Sequence, residues 1–125
     1  MPETKRILLV EDEELLRDIY LEVLVGSGYE VETAKEGNEA EHKMREGGYD
    51  LVLLDLMLPN KDGVQVLKDL QQKPASKLNK SIVYMTNLAQ DNILNDGAQY
   101  GVRGALTKSD LTPDQFLEKV KEYLG

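Results

Sequence analysis

Short unbroken apolar runs alternate along this chain with longer stretches in which apolar residues recur every three or four positions. Ile7-Leu8-Leu9-Val10 is continuous and predicts a strand buried on both faces. From Glu13 to Val25, Leu15, Leu16, Ile19, Tyr20, Val23 and Leu24 recur at helical spacing, and Gly26 and Gly28 end the pattern. Glu30-Val31-Glu32-Thr33 alternates as an edge strand does, and Gly37 to Glu46 predicts a thinner helix with Ala40 and Met44 on one face. Leu51 to Asp55 is a third strand, and Gly63 to Gln72 a helix with Val66, Leu67 and Leu70 facing inward. Ser81 to Thr86 reads as a fourth strand, followed by helical spacing of Ile93, Leu94 and Ala98 within Ala89 to Tyr100. Gly101 to Thr107 is a weaker fifth strand. The last helix is marked by Thr112 as cap, Pro113 in the first turn and Gln115 completing a capping box, with a buried stripe of Phe116, Leu117, Val120 and Leu124.

Five successive strand–helix units predict an α/β fold, a parallel sheet with helices on both faces. Such sheets bind ligands beyond the carboxyl ends of their strands, near the topological switch point. The chemistry is therefore sought in the residues that end each strand.

Composition narrows the reading. With 125 residues and no linker, repeat or low-complexity segment, residues 1–125 are expected to form a single domain. There is no apolar run near the length of a membrane span and no signal-peptide pattern, so a cytoplasmic protein without membrane association is expected. The absence of cysteine excludes disulfides and thiolate metal sites. The net charge of −8, from 23 acids against 15 bases, argues against a nucleic-acid-binding surface. An ordinary surface with excess glutamate accounts for most of this excess and a local acidic site that wants a cation for the remainder, and the charge total does not say which.

The strand ends bear on that choice. The first ends in Glu11-Asp12, the third in Asp55 and the fourth in Thr86, while Lys108 comes after the fifth. Singly, each has an ordinary role: acids favour a helix start, Asp55 can cap a turn and Thr86 the next helix, and a lone lysine is usually solvated. Jointly they put three carboxylates, a hydroxyl and an amine on one edge of the sheet. Crowded carboxylates repel, and a hard divalent cation relieves that repulsion. Oxygen ligands suit Mg²⁺, typically shared with a phosphoryl group, and no histidine–cysteine cluster favours zinc. The one histidine, His42, falls on the second helix and reads as a surface residue. Beside Mg²⁺, Asp55 is a candidate nucleophile toward phosphorus, Lys108 a stabiliser of charge on the phosphoryl oxygens, and Thr86 a donor to the product.

The segments ILLVEDEE and YDLVLLDLMLPNKDG, the strand ending at Thr86 and the lysine after GVRGALT together resemble a response-regulator receiver domain of two-component signalling, over essentially the whole chain. The resemblance implies a doubly wound (βα)5 flavodoxin-like fold whose parallel strands take the order 2-1-3-4-5. It implies that Asp55 accepts a phosphoryl group from a histidine kinase or a histidine phosphotransfer protein. Mg²⁺, with Mn²⁺ able to substitute, would be held by Asp12, Asp55 and the backbone carbonyl of Met57, and by Glu11 through water. Thr86 and Lys108 match the switch hydroxyl and the family's lysine, and Pro59 and Gly63 the loop after the acceptor. Phosphorylation would then switch a partner-binding surface formed by the helix over 89–100, the fifth strand and the last helix. On this reading the chain is no enzyme toward an external substrate; it catalyses only its own phosphorylation and a slow dephosphorylation. The alternative is a non-phosphorylated interaction scaffold of the same fold. A phosphohydrolase is disfavoured because Met57 stands where a second acid would be needed.

Four departures from the family pattern stand out. Ser109 follows Lys108 where a proline after a cis bond is usual, so a trans bond is expected, a non-proline cis bond costing about 3–4 kcal/mol. Ala105 replaces an aromatic residue that reports phosphorylation. Asn87 replaces a small residue after Thr86. Met57 and Leu88 are both apolar where a polar side chain could position a hydrolytic water, so slow self-dephosphorylation is expected.

Overall fold

The computed structural model describes residues 4–73, 75–87, 97–108 and 111–125. Five strands, β1 (Arg6–Val10), β2 (Glu30–Ala34), β3 (Leu51–Asp55), β4 (Ile82–Thr86) and β5 (Val102–Thr107), form one sheet of order β2-β1-β3-β4-β5. All neighbouring pairs are parallel. Among the described residues four helices cover it: α1 (Glu14–Gly26), α2 (Gly37–Glu46), α3 (Gly63–Gln72) and α4 (Pro113–Leu124). None is long and apolar enough to cross a membrane. The expected helix over 89–100 falls largely outside the described residues, of which Gly97 and Ala98 are helical.

Because side chains alternate along a strand, each strand feeds two cores. One face carries Leu8, Val10, Val52, Leu54 and Tyr84, packed against Ala40 and Met44 of α2 and Val66 and Leu67 of α3. The other carries Ile7, Leu9, Leu51, Leu53, Val83, Met85 and Leu106, packed against Tyr20 and Leu24 of α1 and Phe116 and Val120 of α4. The Tyr20 and Phe116 rings stack with centroids 4.4 Å apart, which joins α1 to α4. The capping box of α4 forms as the sequence predicts, Thr112 and Gln115 each accepting the other's backbone N–H.

The one clear departure is the rotation of α1. The sequence places Leu15 and Ile19 in its buried stripe, but Leu15 is 69% exposed and Ile19 36%. Arg17, Tyr20 and Leu24 form the buried line instead. Apolar pairs at 15–16, 19–20 and 23–24 span more of the circumference than one face, so periodicity alone leaves the helix free to turn by about one residue.

Candidate functional site

The site grows out of the alternation just described. Along the face that meets α1 and α4, the row Ile7–Leu9 continues one step into Glu11, Leu51–Leu53 into Asp55, and Leu106 into Lys108. Val10 pairs with Leu54, which brings Glu11 and Asp55 to the same level on adjacent strands. Three apolar rows thus end together in two carboxylates and an amine. Thr86 ends the row of Ile82 and Tyr84 on the opposite face, one residue beyond Met85, the partner of Asp55.

Lys108 reaches across to both acids. Its Nζ lies 2.6 Å from Asp55 Oδ2 and 2.7 Å from Glu11 Oε1, and donates to Glu11 Oε2 at 3.0 Å. All three side chains are buried, Lys108 at 8% exposure. Burial pushes the Glu11 carboxyl well above the usual carboxylate range; the hydrogen-bonded Asp55 carboxyl adds to the rise and Lys108 opposes it. For Lys108, burial works against the charge, but its bonds to Asp55 and Glu11 outweigh that and hold the ammonium above its ordinary value.

Asp12 is the exposed member of the group. One carboxylate oxygen from each of Glu11, Asp12 and Asp55 lies within 4.8 Å of the other two. The cluster has a buried wall and an open side.

The segment after Asp55 is tied down closely. Met57 N donates to Asp55 Oδ1 at 3.0 Å, so each carboxylate oxygen of Asp55 has a fixed partner. Gly63 N donates to Leu56 O at 3.1 Å and closes the loop, while Asp62 caps α3 by accepting from Gln65 N. A Cβ on Gly63 would lie 2.7 Å from the Asp55 carbonyl oxygen, which is why α3 starts with glycine. Lys61 bonds Glu41 of α2 and Asp69 of α3, pinning the loop between the two helices. The Met57 side chain is 78% exposed at the rim.

The structure therefore brings together Glu11, Asp12, Asp55 and Lys108, with Thr86 at the neighbouring strand end and the Met57 amide folded back on Asp55. His42 is exposed on α2, paired with Glu46, away from this edge. Ala105 is half-buried, paired with Tyr84, whose ring is in the core. Leu88, Ser109 and the Lys108–Ser109 bond lie outside the described residues. A cavity of about 530 Å³ lies near the opposite edge of the sheet, lined by Leu67, Leu70, Leu78, Ile82 and Tyr100 among others, and includes none of these groups. Two contributors were not singled out from the sequence. Lys61 carries no local signal. Arg17 does carry one, being a charged residue at the head of an apolar helix.

A family model described as the response regulator receiver domain matches residues 7–121. The chain is 37% identical over 122 residues to the alkaline phosphatase synthesis transcriptional regulatory protein PhoP of Bacillus subtilis (strain 168), covering 96% of this chain and 48% of that one. It is 31% identical over 121 residues to the chemotaxis protein CheY of the same organism, covering 96% of this chain and 98% of that one. Against transcriptional regulators such as DltR of Streptococcus agalactiae serotype III (strain NEM316), the chain spans about half the relative's length, at 32% identity over 93% of its own. Among solved structures it superposes on a CheY-like receiver domain protein from Methanospirillum hungatei JF-1 with a TM-score of 0.81 and 29% identity, covering 98% of this chain and 94% of that one.

Proposed function

Because the chain belongs to the response-regulator receiver family of two-component signalling, we propose that Asp55 is its phosphoacceptor and that a divalent cation at Glu11, Asp12 and Asp55 enables the transfer. The observation that carries this reading is the convergence of three carboxylates and Lys108 at adjacent strand ends. The donor set suits Mg²⁺ or Mn²⁺: it is all hard oxygen, and exposed Asp12 leaves one side of the cluster open to water. Asp12 and Asp55 would hold the ion with the Met57 carbonyl, and Glu11 through water. When bound, the cation supplies charge stabilisation on the phosphoryl oxygens and relieves the repulsion between the acids.

The chain's own residues do the rest. Lys108 and the Met57 amide fix the Asp55 carboxylate so that it faces the donor in a single orientation. The bond from Asp55 oxygen to phosphorus forms as the bond from phosphorus to a donor histidine nitrogen breaks, the donor being a histidine kinase or phosphotransfer protein. Lys108 then neutralises part of the charge gained, and Thr86 donates its hydroxyl to the new phosphoryl group. The added charge biases the surface around β5 and α4 toward an output partner. The chain turns over no external substrate on this reading.

The test is incubation with acetyl phosphate or phosphoramidate and Mg²⁺, followed by intact mass. A gain of one phosphoryl group is expected, lost with EDTA and lost in Asp55→Asn. An undiminished gain in Asp55→Asn would overturn the assignment of the acceptor, and no gain from small donors or from a phosphohistidine protein would favour the scaffold. The lifetime of the product is a separate expectation. The exposed Met57 side chain offers no hydrogen bond to orient a water in line with phosphorus, so decay should be slow. A half-life of only seconds would contradict that argument.

A further inference from the structure

Arg17 is placed where ordinary helix physics disfavours it. It sits in the first turns of α1, near the positive end of the helix dipole, and is 8% exposed. Among the described residues it forms no ion pair. A buried, unpaired guanidinium is costly unless its donors are well used. Its Nη1 donates to two consecutive carbonyls, that of Glu11 at 3.1 Å and that of Asp12 at 3.4 Å.

Those carbonyls belong to the turn that must send Glu11 inward and Asp12 outward. The turn has few other restraints. Glu11 N donates to Ala34 O at 3.0 Å, which fixes the residue from the β2 side. Glu13, at the N-cap of α1, is extended and makes no side-chain cap. The carbonyl side of the acidic pair is thus held by a side chain from α1, the helix it leads into. We propose that Arg17 is a positioning residue for the divalent cation, setting the backbone of Glu11 and Asp12 so that the Asp12 carboxylate is aimed at the metal. The inference rests on the reading of this cluster as a cation site.

Outer-shell contacts of this kind typically change metal affinity by about 10–100-fold, and a contact acting through the backbone belongs at the lower end. The experiment is a Mg²⁺ titration followed by the amide NMR shifts of Glu11, Asp12 and Met57, alongside the Tm of the metal-free protein. Arg17→Met keeps most of the apolar stem and removes the donors; about tenfold weaker Mg²⁺ binding is expected while the protein stays folded. Arg17→Lys, which keeps a buried cation and a donor, should recover part of that loss. A lowered Tm with wild-type Mg²⁺ affinity would overturn the proposal and leave Arg17 a packing residue. If the Met variant does not fold, Arg17→Lys and Arg17→Gln carry the same comparison, and unchanged affinity in both overturns it. A wild-type chain that binds no Mg²⁺ would overturn the reading of the cluster itself, a failure visible before any variant is made.

Discussion

Lys108→Met is expected to destabilise the metal-free protein by about 3 kcal/mol or more, because removing one partner of a buried ion pair strands the other. Here two partners are stranded. The ammonium sits 2.6 Å from Asp55 and 2.7 Å from Glu11, with those side chains 2% and 0% exposed. Methionine replaces the stem of the lysine but not its charge, so Asp55 and Glu11 would share a buried gap with no cation, and Glu11, already raised, would hold a proton to still higher pH. For a domain of this size the loss corresponds to a fall in Tm on the order of 10 °C. Two companion measurements identify the cause. Mg²⁺ should raise the Tm of the variant more than that of the wild type, since a bound cation takes over the neutralisation and binding to the folded state stabilises it. Asp55→Asn in the Lys108→Met background should recover much of the loss, because the buried charge left without its cation is gone. A Tm within a degree or two of wild type would mean that water, not Lys108, compensates these acids.

The legibility of this site in the sequence comes from the same alternation. Glu11, Asp55 and Lys108 each interrupt or extend an apolar row, and in a parallel sheet such interruptions share one edge, so the cluster is readable from the chain alone. The β3–α3 loop was legible through Pro59 and Gly63. The rotation of α1 was not. Its apolar residues fit two neighbouring faces, and the choice is made by tertiary contacts, above all Tyr20 stacked on Phe116 nearly a hundred positions later. That choice turns Leu15 outward and Arg17 inward, so a charged residue visible in the apolar pattern of α1 does not reveal which way it faces, for the same physical reason that Leu15 ends up exposed. Lys61 was invisible because its partners, Glu41 and Asp69, lie on two separate helices.

Gly47→Ala should produce the other large loss, and at the far edge of the sheet. Gly47 comes directly after α2 with φ 73° and ψ −163°, a region essentially reserved for glycine, where a side chain costs about 1–3 kcal/mol in backbone strain. A Cβ there would also overlap the carbonyl oxygen of Lys77, with the carbonyl carbon at 2.7 Å. Backbone cannot move aside as a flexible side chain can, and this stretch is clipped in place. Ser76 N donates to Arg45 O at 2.8 Å, Asn79 Nδ2 to Met44 O at 2.9 Å, and Lys80 N to Tyr49 O at 2.9 Å. Accommodating the methyl group would break some of these bonds, so a total loss of about 3 kcal/mol or more is expected, read as a fall in Tm on the order of 10 °C. Gly26→Ala is the control. Gly26 ends α1 with nothing within 4 Å of a Cβ, and alanine there should stabilise by about 0.5–1 kcal/mol. Because Gly47 precedes β3 whereas Asp55 ends it, Gly47→Ala should still take up a phosphoryl group below its lowered Tm. Loss of uptake in protein shown to be folded would mean that the two edges of the sheet are coupled, and that the α2–β3 connection helps shape the acidic cluster.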